Sequence, residues 1–386
     1  MIISVLILTY FGLSSFYMLF FALCGKMKKP QNIDVDKSLK EISVAILIPA
    51  YKEDLVIIDT VLEAKKIQYS NYQIIVIADS LKKKTLDRLD SLDITVIKVN
   101  FESSTKVKAL NKAYSEIQEF DTALILDADN HLKPNFLKLM NTAYQNEDHK
   151  VLQGQRVAKN FSSSVSFLDA LSEAVNNNIY NQGPVNINLS TRLVGSGMLF
   201  DFRLLKQLLT ECTAIGGFDK ELELRLLEQR KFLQYVPQCV VYDEKVSTNS
   251  NFKNQRTRWI AAQYHFFQSY WFSATKQLVT KGNIDFFNKI IQLGLPPRLL
   301  IPPILFLGCI LNWLFCPQLY LIWLICLAAN LLANLISIPT SMYSKELFLA
   351  LLKVPALIGL TILGMLNIGD ANKRFLHTSH GKETDQ

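Results

Sequence analysis

The sequence predicts an α/β chain: a doubly wound, mostly parallel sheet in the middle, with transmembrane helices at both ends. Three observations carry this. Between residues 44 and 129, short continuous apolar runs alternate with polar segments of helical length. Acidic residues stand where most of those runs end, and long uncharged runs occupy the two ends of the chain. Continuous Val/Ile/Leu runs spaced by helices are what a parallel sheet buried on both faces demands.

The first element is the uncharged run IISVLILTYFGLSSFYMLFFALC, residues 2–24, close to the roughly 20 residues a helix needs to cross a bilayer. It is too long for the apolar region of a cleaved leader and has no basic residue before it, so it reads as a membrane anchor, residues 1–25. Lys26, Lys28 and Lys29 follow at once. By the positive-inside rule they place the next domain in the cytoplasm. A polar linker covers residues 26–43.

Strands are expected at VAILIPA (44–50), QIIVIAD (73–79), ITVIKV (94–99) and ALILDAD (123–129). Ligands of such sheets bind beyond the carboxyl ends of the strands. Those ends present Tyr51, Lys52, Glu53 and Asp54, then Asp79, then Asp127 to Asn130. A dinucleotide-binding sheet carries GxGxxG after its first strand, whereas PAYKED has no glycine there. A divalent cation held by aspartates is the alternative way to bind phosphates. An Asp-x-Asp pair alone carries little, as Asp34 and Asp36 in the linker IDVDK illustrate. Position separates the two pairs: carboxylates ending a buried strand are unfavourable unless neutralised. A cation bridging a diphosphate supplies that neutralisation; a solvated turn capping the next helix is the competing reading.

IPAYKED, IAD, KVKALN (106–111), DADN, GSGM (195–198), GGFDKELEL (216–224) and QRTRW (255–259) occur in an order and spacing that resemble family 2 inverting glycosyltransferases. The likeness is to the membrane-embedded branch with cellulose, chitin and hyaluronan synthases. It covers about residues 44–265 and implies a GT-A-like domain. By this resemblance Tyr51, Glu53 and Asp79 hold the uracil and ribose of a UDP-sugar. Asp127 and Asp129 face the sugar diphosphate, with Asp129 as the more direct ligand of Mg2+ or Mn2+. Lys106 or Lys108 approaches the nucleotide, Gln255, Arg256 and Arg258 grip the pyrophosphate, and Trp259 and Gly197 contact the acceptor. The family commonly has an aspartate base before Leu-Glu-Leu. Alignment on that triplet puts Glu221 in the role, with Asp219 as the alternative and a pair of solvated helix charges, Glu221 and Glu223, as the non-catalytic reading. A carboxylate of ordinary pKa near 4.3 is adequate for the task.

QRTRW also suits a helix end at a membrane surface, where Arg and Trp are enriched. After it, Phe286, Phe287, Ile290 and Ile291 share one helical face, which suggests interfacial helices over residues 266–297. His131 and His265 have no partner at metal-ligand spacing and read as structural or solvated. Residues 299–315 and 319–339 are two further spans. The run 347–368, interrupted by Lys353 and Pro355, is taken as a third, although Lys373, Arg374 and Lys382 argue for a cytoplasmic end. The C-terminal helices are assigned to 298–370 and a polar tail to 371–386.

None of the six cysteines forms CxxC, which fits reduced thiols. The net charge of +7 is accounted for by basic residues flanking spans and binding phosphates or anionic headgroups, with no nucleic-acid partner. The expectation is an integral protein of the cell membrane with a cytoplasmic site. It is a metal-dependent, inverting hexosyl- or N-acetylhexosaminyl-transferase using a nucleotide-sugar donor, UDP- or GDP-linked. Its acceptor is a growing glycan or a lipid-linked molecule, and so few spans leave room for an export or partner subunit. The rival expectation is a non-catalytic pseudoglycosyltransferase or scaffold subunit.

Overall fold

The computed structural model describes residues 2–27, 33–36, 38–146, 149–159, 161, 163–246 and 248–366; the tail cations Lys373, Arg374 and Lys382, and Lys28 and Lys29, lie outside them. Helix α1 (Ile2–Met27) comes first. The sheet domain then opens with β1 (Val44–Tyr51), α2 (Ile57–Ala64), β2 (Tyr72–Asp79), α3 (Lys83–Asp90), β3 (Thr95–Val99), α4 (Lys106–Glu116) and β4 (Thr122–Ile125). β1 pairs in parallel with both β2 and β4, and β2 with β3. Alternate residues of β1 feed two cores. Ile46 and Ile48 pack with Ile57 and Val61 of α2, while Ala45 and Leu47 pack with Leu110 and Ala113 of α4. A strand buried on both faces must be apolar throughout, and this is why the first four strands are visible in the sequence.

The second half is mixed. It contains β5 (His131–Leu132), α5 (Phe136–Asn146), β6 (Val151–Ala158), α6 (Ser164–Asn176), a π-helical turn (Asn177–Gln182), α7 (Gly183–Val185), β7 (Met198–Asp201), α8 (Phe202–Glu211), α9 (Phe218–Glu228) and β8 (Gln234–Asp243). The eight strands run in the order β3-β2-β1-β4-β7-β6-β8-β5. β7 lies antiparallel between β4 and β6, and β5 antiparallel to β8. These four strands were not anticipated. β5 and β7 are too short for a periodic signal, and the β6–β8 ladder breaks register between Gly154 and Gln155. The expected strand 123–129 also ends early: its pairing with β1 stops at Ile125, so Asp127 to Asn130 form a turn beyond it.

Helix α10 (Asn249–Lys281) runs without interruption across residue 265, where the sequence suggested a boundary. α11 (Ile284–Gly294) follows. Of the apolar face expected there, Phe286 and Ile290 are fully buried in the protein core with Phe218, Leu222 and Phe266, while Phe287 and Ile291 are half-buried. Amphipathic spacing reports that a face is covered, not by what.

α12 (Ile301–Phe315) and α13 (Pro317–Ser337) precede α14 (Lys345–Leu351) and α15 (Val354–Met365). Three helices, Ile2–Met27, Arg298–Phe315 and Pro317–Ser337, are long and apolar enough to cross a membrane, and α14 with α15 makes a fourth candidate bent by 48°. The bend falls at Lys353, next to Pro355 in the first turn of α15, where proline cannot continue the hydrogen-bond ladder of the preceding helix.

α1 is fastened to the sheet domain as well as to α13. Asn178 Nδ2 donates to the Ala22 carbonyl at 3.0 Å and Asn186 Nδ2 to the Cys24 carbonyl at 2.8 Å. A Cβ at Gly183 would stand 2.4 Å from the Phe21 carbonyl oxygen, so only glycine admits this approach.

Candidate active site

The ends of β1 and β2 and the turn after β4 form one edge. Tyr51 and Asp79 are register partners, and the Lys52 amide donates to the Asp79 carbonyl at 3.0 Å. Asp79 is buried and accepts from Ser80 Oγ at 2.9 Å. Glu53 is buried beside them. Asp54 is spent on structure: it accepts from the Lys82 amide at 2.8 Å and Thr85 Oγ1 at 2.6 Å, capping the start of α3.

Asp127 forms an ion pair with Lys106, whose Nζ also donates to the Gly195 carbonyl at 2.9 Å and lies 4.8 Å from the Phe218 ring centroid. The Asp127 amide donates to Ser196 Oγ at 3.0 Å. One lysine thus ties the DADN turn to the GSG loop and to the start of α9. Asp129 is 5% exposed and accepts from Asn130 Nδ2 at 3.0 Å, which also donates to Asp243 Oδ1 at 3.0 Å.

Among the described residues no three His, Cys, Asp or Glu side chains gather as a metal cage. Two carboxylates on one turn, with diphosphate oxygens completing the shell, are the set by which Mg2+ or Mn2+ is usually held in nucleotide sites. Among the described residues Asn130 Oδ1 is buried with no donor, a further hard oxygen beside Asp129. The residues fit such a cation.

A buried charge network, not anticipated from the sequence, extends from this turn. Lys245 pairs with Glu173 and, at 2.6 Å, with Asp243; Arg156 Nε donates to Glu173 Oε1 at 2.9 Å. One turn earlier on α6, Asp169 accepts from Arg256 of QRTRW at 2.5 Å. α6 therefore links the DADN turn to α10. Burial works against the Asp243 carboxylate, yet Lys245 and Arg156 hold it well below the usual carboxylate range. A folded-state value below the unfolded one adds stability that is present above the unfolded pKa, near 3.9, and is lost as pH falls toward the folded value. Melting temperatures measured from pH 7 down to pH 3 should therefore fall below about pH 5. Asp243→Asn should be less stable at pH 7 and fall less steeply; parallel curves would remove Asp243 from this role.

α9 presents its acids to two sides. Glu221 is 3% exposed and accepts from the amides of Thr213 at 3.0 Å and Ala214 at 2.7 Å and from Arg225 Nη2 at 2.8 Å. Its carboxylate is taken up in holding the 212–214 loop. Two residues along a helix is about 200° of rotation, so Asp219 faces the other way. It shares a face with Glu223, four residues on, whose ion pair with Lys289 reaches α11. Burial pushes the Glu223 carboxyl up and the Lys289 amine down, which moves the pair toward neutrality.

Residues 42–262 match the family described as "Glycosyltransferase like family 2". The chain belongs to this glycosyltransferase family. In structure it is similar to the mannosyltransferase PcManGT from Pyrobaculum calidifontis in complex with GDP-Man and Mn2+, at 14% identity and a TM-score of 0.54, covering 86% of this chain and 97% of that one. More distant similarity is found to glucosyl-3-phosphoglycerate synthase from Mycobacterium tuberculosis in complex with Mn2+, UDP and phosphoglyceric acid (14% identity, TM-score 0.39, 53% and 72% covered). It extends to S. aureus TarS 1-349 (13% identity, TM-score 0.39, 77% and 90% covered). No curated protein sequence matches the chain.

The remaining predicted residues of this glycosyltransferase divide. Lys108 reaches back to the Ser103 carbonyl at 2.8 Å, so of the two lysines it is Lys106 that meets the DADN turn. Gly197 has φ +64, and a Cβ there would stand 2.4 Å from Val241 Cγ2; strand packing alone accounts for the glycine. Arg256 lies between Phe252 and Trp259, 4.9 and 4.7 Å from their centroids. Among the described residues Gln255 Oε1 is buried with no donor, and burial pulls the Arg258 guanidinium below the ordinary arginine value. His131 sits between Asp59, at 3.0 Å, and Lys159, at 2.8 Å, and His265 packs edge-on against Phe266.

Proposed function

We propose that the protein is a membrane-bound, metal-assisted, inverting glycosyltransferase that moves a hexosyl or N-acetylhexosaminyl group from a UDP- or GDP-sugar to a glycan or lipid-linked acceptor. The observation that carries this is the junction at Lys106, where the DADN turn, the GSG loop and the start of α9 meet. In this reading Tyr51, Glu53 and Asp79 receive the nucleoside. Asp127 and Asp129 hold a Mg2+ or Mn2+, which supplies charge stabilisation to the leaving diphosphate. Gln255, Arg256 and Arg258 approach the same diphosphate from α10, and Trp259 offers a ring to the acceptor.

Asp219 is the proposed base. It stands next to Phe218, which touches Lys106, and its carboxylate is less engaged than that of Glu221; its recorded neighbour is Lys220 Nζ at 3.6 Å. With one base and no second carboxylate placed as a nucleophile, a single displacement with inversion follows, giving β-linked product from an α-linked donor. The apolar helices keep the sheet domain at the membrane, and the Lys26 flank favours a cytoplasmic site. Incubation of the purified protein with a panel of UDP- and GDP-sugars and Mn2+ should give sugar transfer or nucleotide release with at least one donor. Neither, with any acceptor, would leave the scaffold reading in its place.

A further inference from the structure

Thr60, on α2, is fully buried. Threonines inside helices of this chain donate to the carbonyl four residues back, as Thr142, Thr257 and Thr361 do, the usual local bond of a helical hydroxyl. Thr60 does otherwise. Its Oγ1 leaves α2 and donates to the Ala128 carbonyl at 2.6 Å, across 68 positions of the chain. That carbonyl belongs to the peptide joining Ala128 to Asp129, so it stands between the two carboxylates of the DADN turn.

A peptide group is planar, so holding its carbonyl also holds the amide on its other side. The Thr60 bond therefore restrains ψ of Ala128 and φ of Asp129, the backbone angles that aim the Asp129 side chain relative to Asp127. The other peptides of the turn are held as well. The Asp127 amide donates to Ser196 Oγ, the Asn130 amide donates to the Asp127 carbonyl at 3.1 Å, and Asn130 Nδ2 donates to the Asp129 carboxylate. With Thr60 included, each peptide from Leu126 to Asn130 carries a hydrogen bond. Removing the Thr60 hydroxyl takes this donor from a buried carbonyl, and such a group is unfavourable until the backbone shifts to find another partner.

α2 also ties this turn to the neighbouring strand end. Its start hangs from the Glu53 carbonyl, which accepts from the amides of Val56 at 3.3 Å and Ile57 at 3.1 Å. Ile57 and Val61, on either side of Thr60 along the helix, pack in the same core as Ala128. One short helix thus runs from Glu53, proposed to receive the nucleoside, to the peptide between the two acids. We infer that Thr60 is a positioning residue for the donor site: its hydroxyl fixes the orientation in which Asp127 and Asp129 present a divalent cation to the nucleotide diphosphate. This rests on the reading of that pair as the metal site.

The test titrates the full-length protein with UDP and with GDP over a range of Mn2+ concentrations and in its absence. Thr60→Ala removes the hydroxyl and the methyl, whereas Thr60→Ser removes the methyl alone. Thr60→Ala should raise the Mn2+ concentration for half-maximal nucleotide binding about 10- to 100-fold, the usual effect of losing a group that orients a metal ligand, with metal-free nucleotide affinity unchanged. Thr60→Ser should match the wild type. Wild-type Mn2+ dependence in Thr60→Ala would overturn the inference. An equal loss in Thr60→Ser would overturn it too, by tracing the effect to packing of the methyl, as would an equal loss of metal-free affinity in Thr60→Ala. If Thr60→Ala does not fold, Thr60→Ser decides: wild-type Mn2+ dependence is expected, and a loss of about tenfold or more overturns the role. A wild type whose nucleotide binding ignores Mn2+ would fail the metal reading itself, and this inference with it; failure in the variants alone leaves that reading standing.

Discussion

Asp129→Asn is expected to abolish Mn2+-dependent binding of the nucleotide sugar and to lower kcat/KM about 1000-fold, the order expected when about 4 kcal/mol of charge stabilisation is lost. The buried turn explains the size of the effect. Asp129 is 5% exposed and held by Asn130, so the amide that replaces it cannot swing away and let water complete a cation's shell. Asp127 differs because Lys106 already neutralises it. Replacing Asp127 should therefore disturb the junction with the GSG loop as well as the cation. Titration of donor with and without Mn2+ provides the check. A wild-type affinity in Asp129→Asn would remove this residue from the metal site.

The second large effect separates two acids on one helix. Asp219→Asn should leave donor affinity intact and reduce transfer by about 100- to 10,000-fold, the usual range for a general base. Glu221→Gln should instead lower stability and leave the chemistry in place. Its carboxylate holds two backbone amides and Arg225 in a buried site, so the variant should lose about 1.5–3 kcal/mol of stability and melt lower. The folded fraction should still transfer sugar. A folded Glu221→Gln that binds donor but is inactive, beside an active Asp219→Asn, would return the base to Glu221.

The contrast shows what a linear reading resolves. Alignment on Leu-Glu-Leu favoured Glu221, but the direction of a side chain on α9 depends on where the helix begins against the GSG loop and α10. Gly217, with φ +70 and an added Cβ only 2.8 Å from Ala262 Cβ, sets that start. The parallel half of the sheet was legible because burial on both faces forces an unbroken apolar run. The mixed half was not, since β6 and β8 carry polar residues such as Gln153 and Gln234 and lose register midway. The position of Asp127 and Asp129 beyond the carboxyl end of a buried strand was legible from the apolar run before them. Asp169 and Glu173 were not, because two acids one turn apart usually mark a solvated helix face; here they meet Arg256, Arg156 and Lys245.

The fastening of α1 bears on how the chain is made. The bond from Asn178 to the Ala22 carbonyl joins residues 156 positions apart, so the first helix leaves the ribosome long before the surface that receives it exists. On the proposed membrane-bound reading it would enter the bilayer with its backbone satisfied internally before the sheet domain is complete. The surface around Gly183 and Asn178 would then form against a helix already in place.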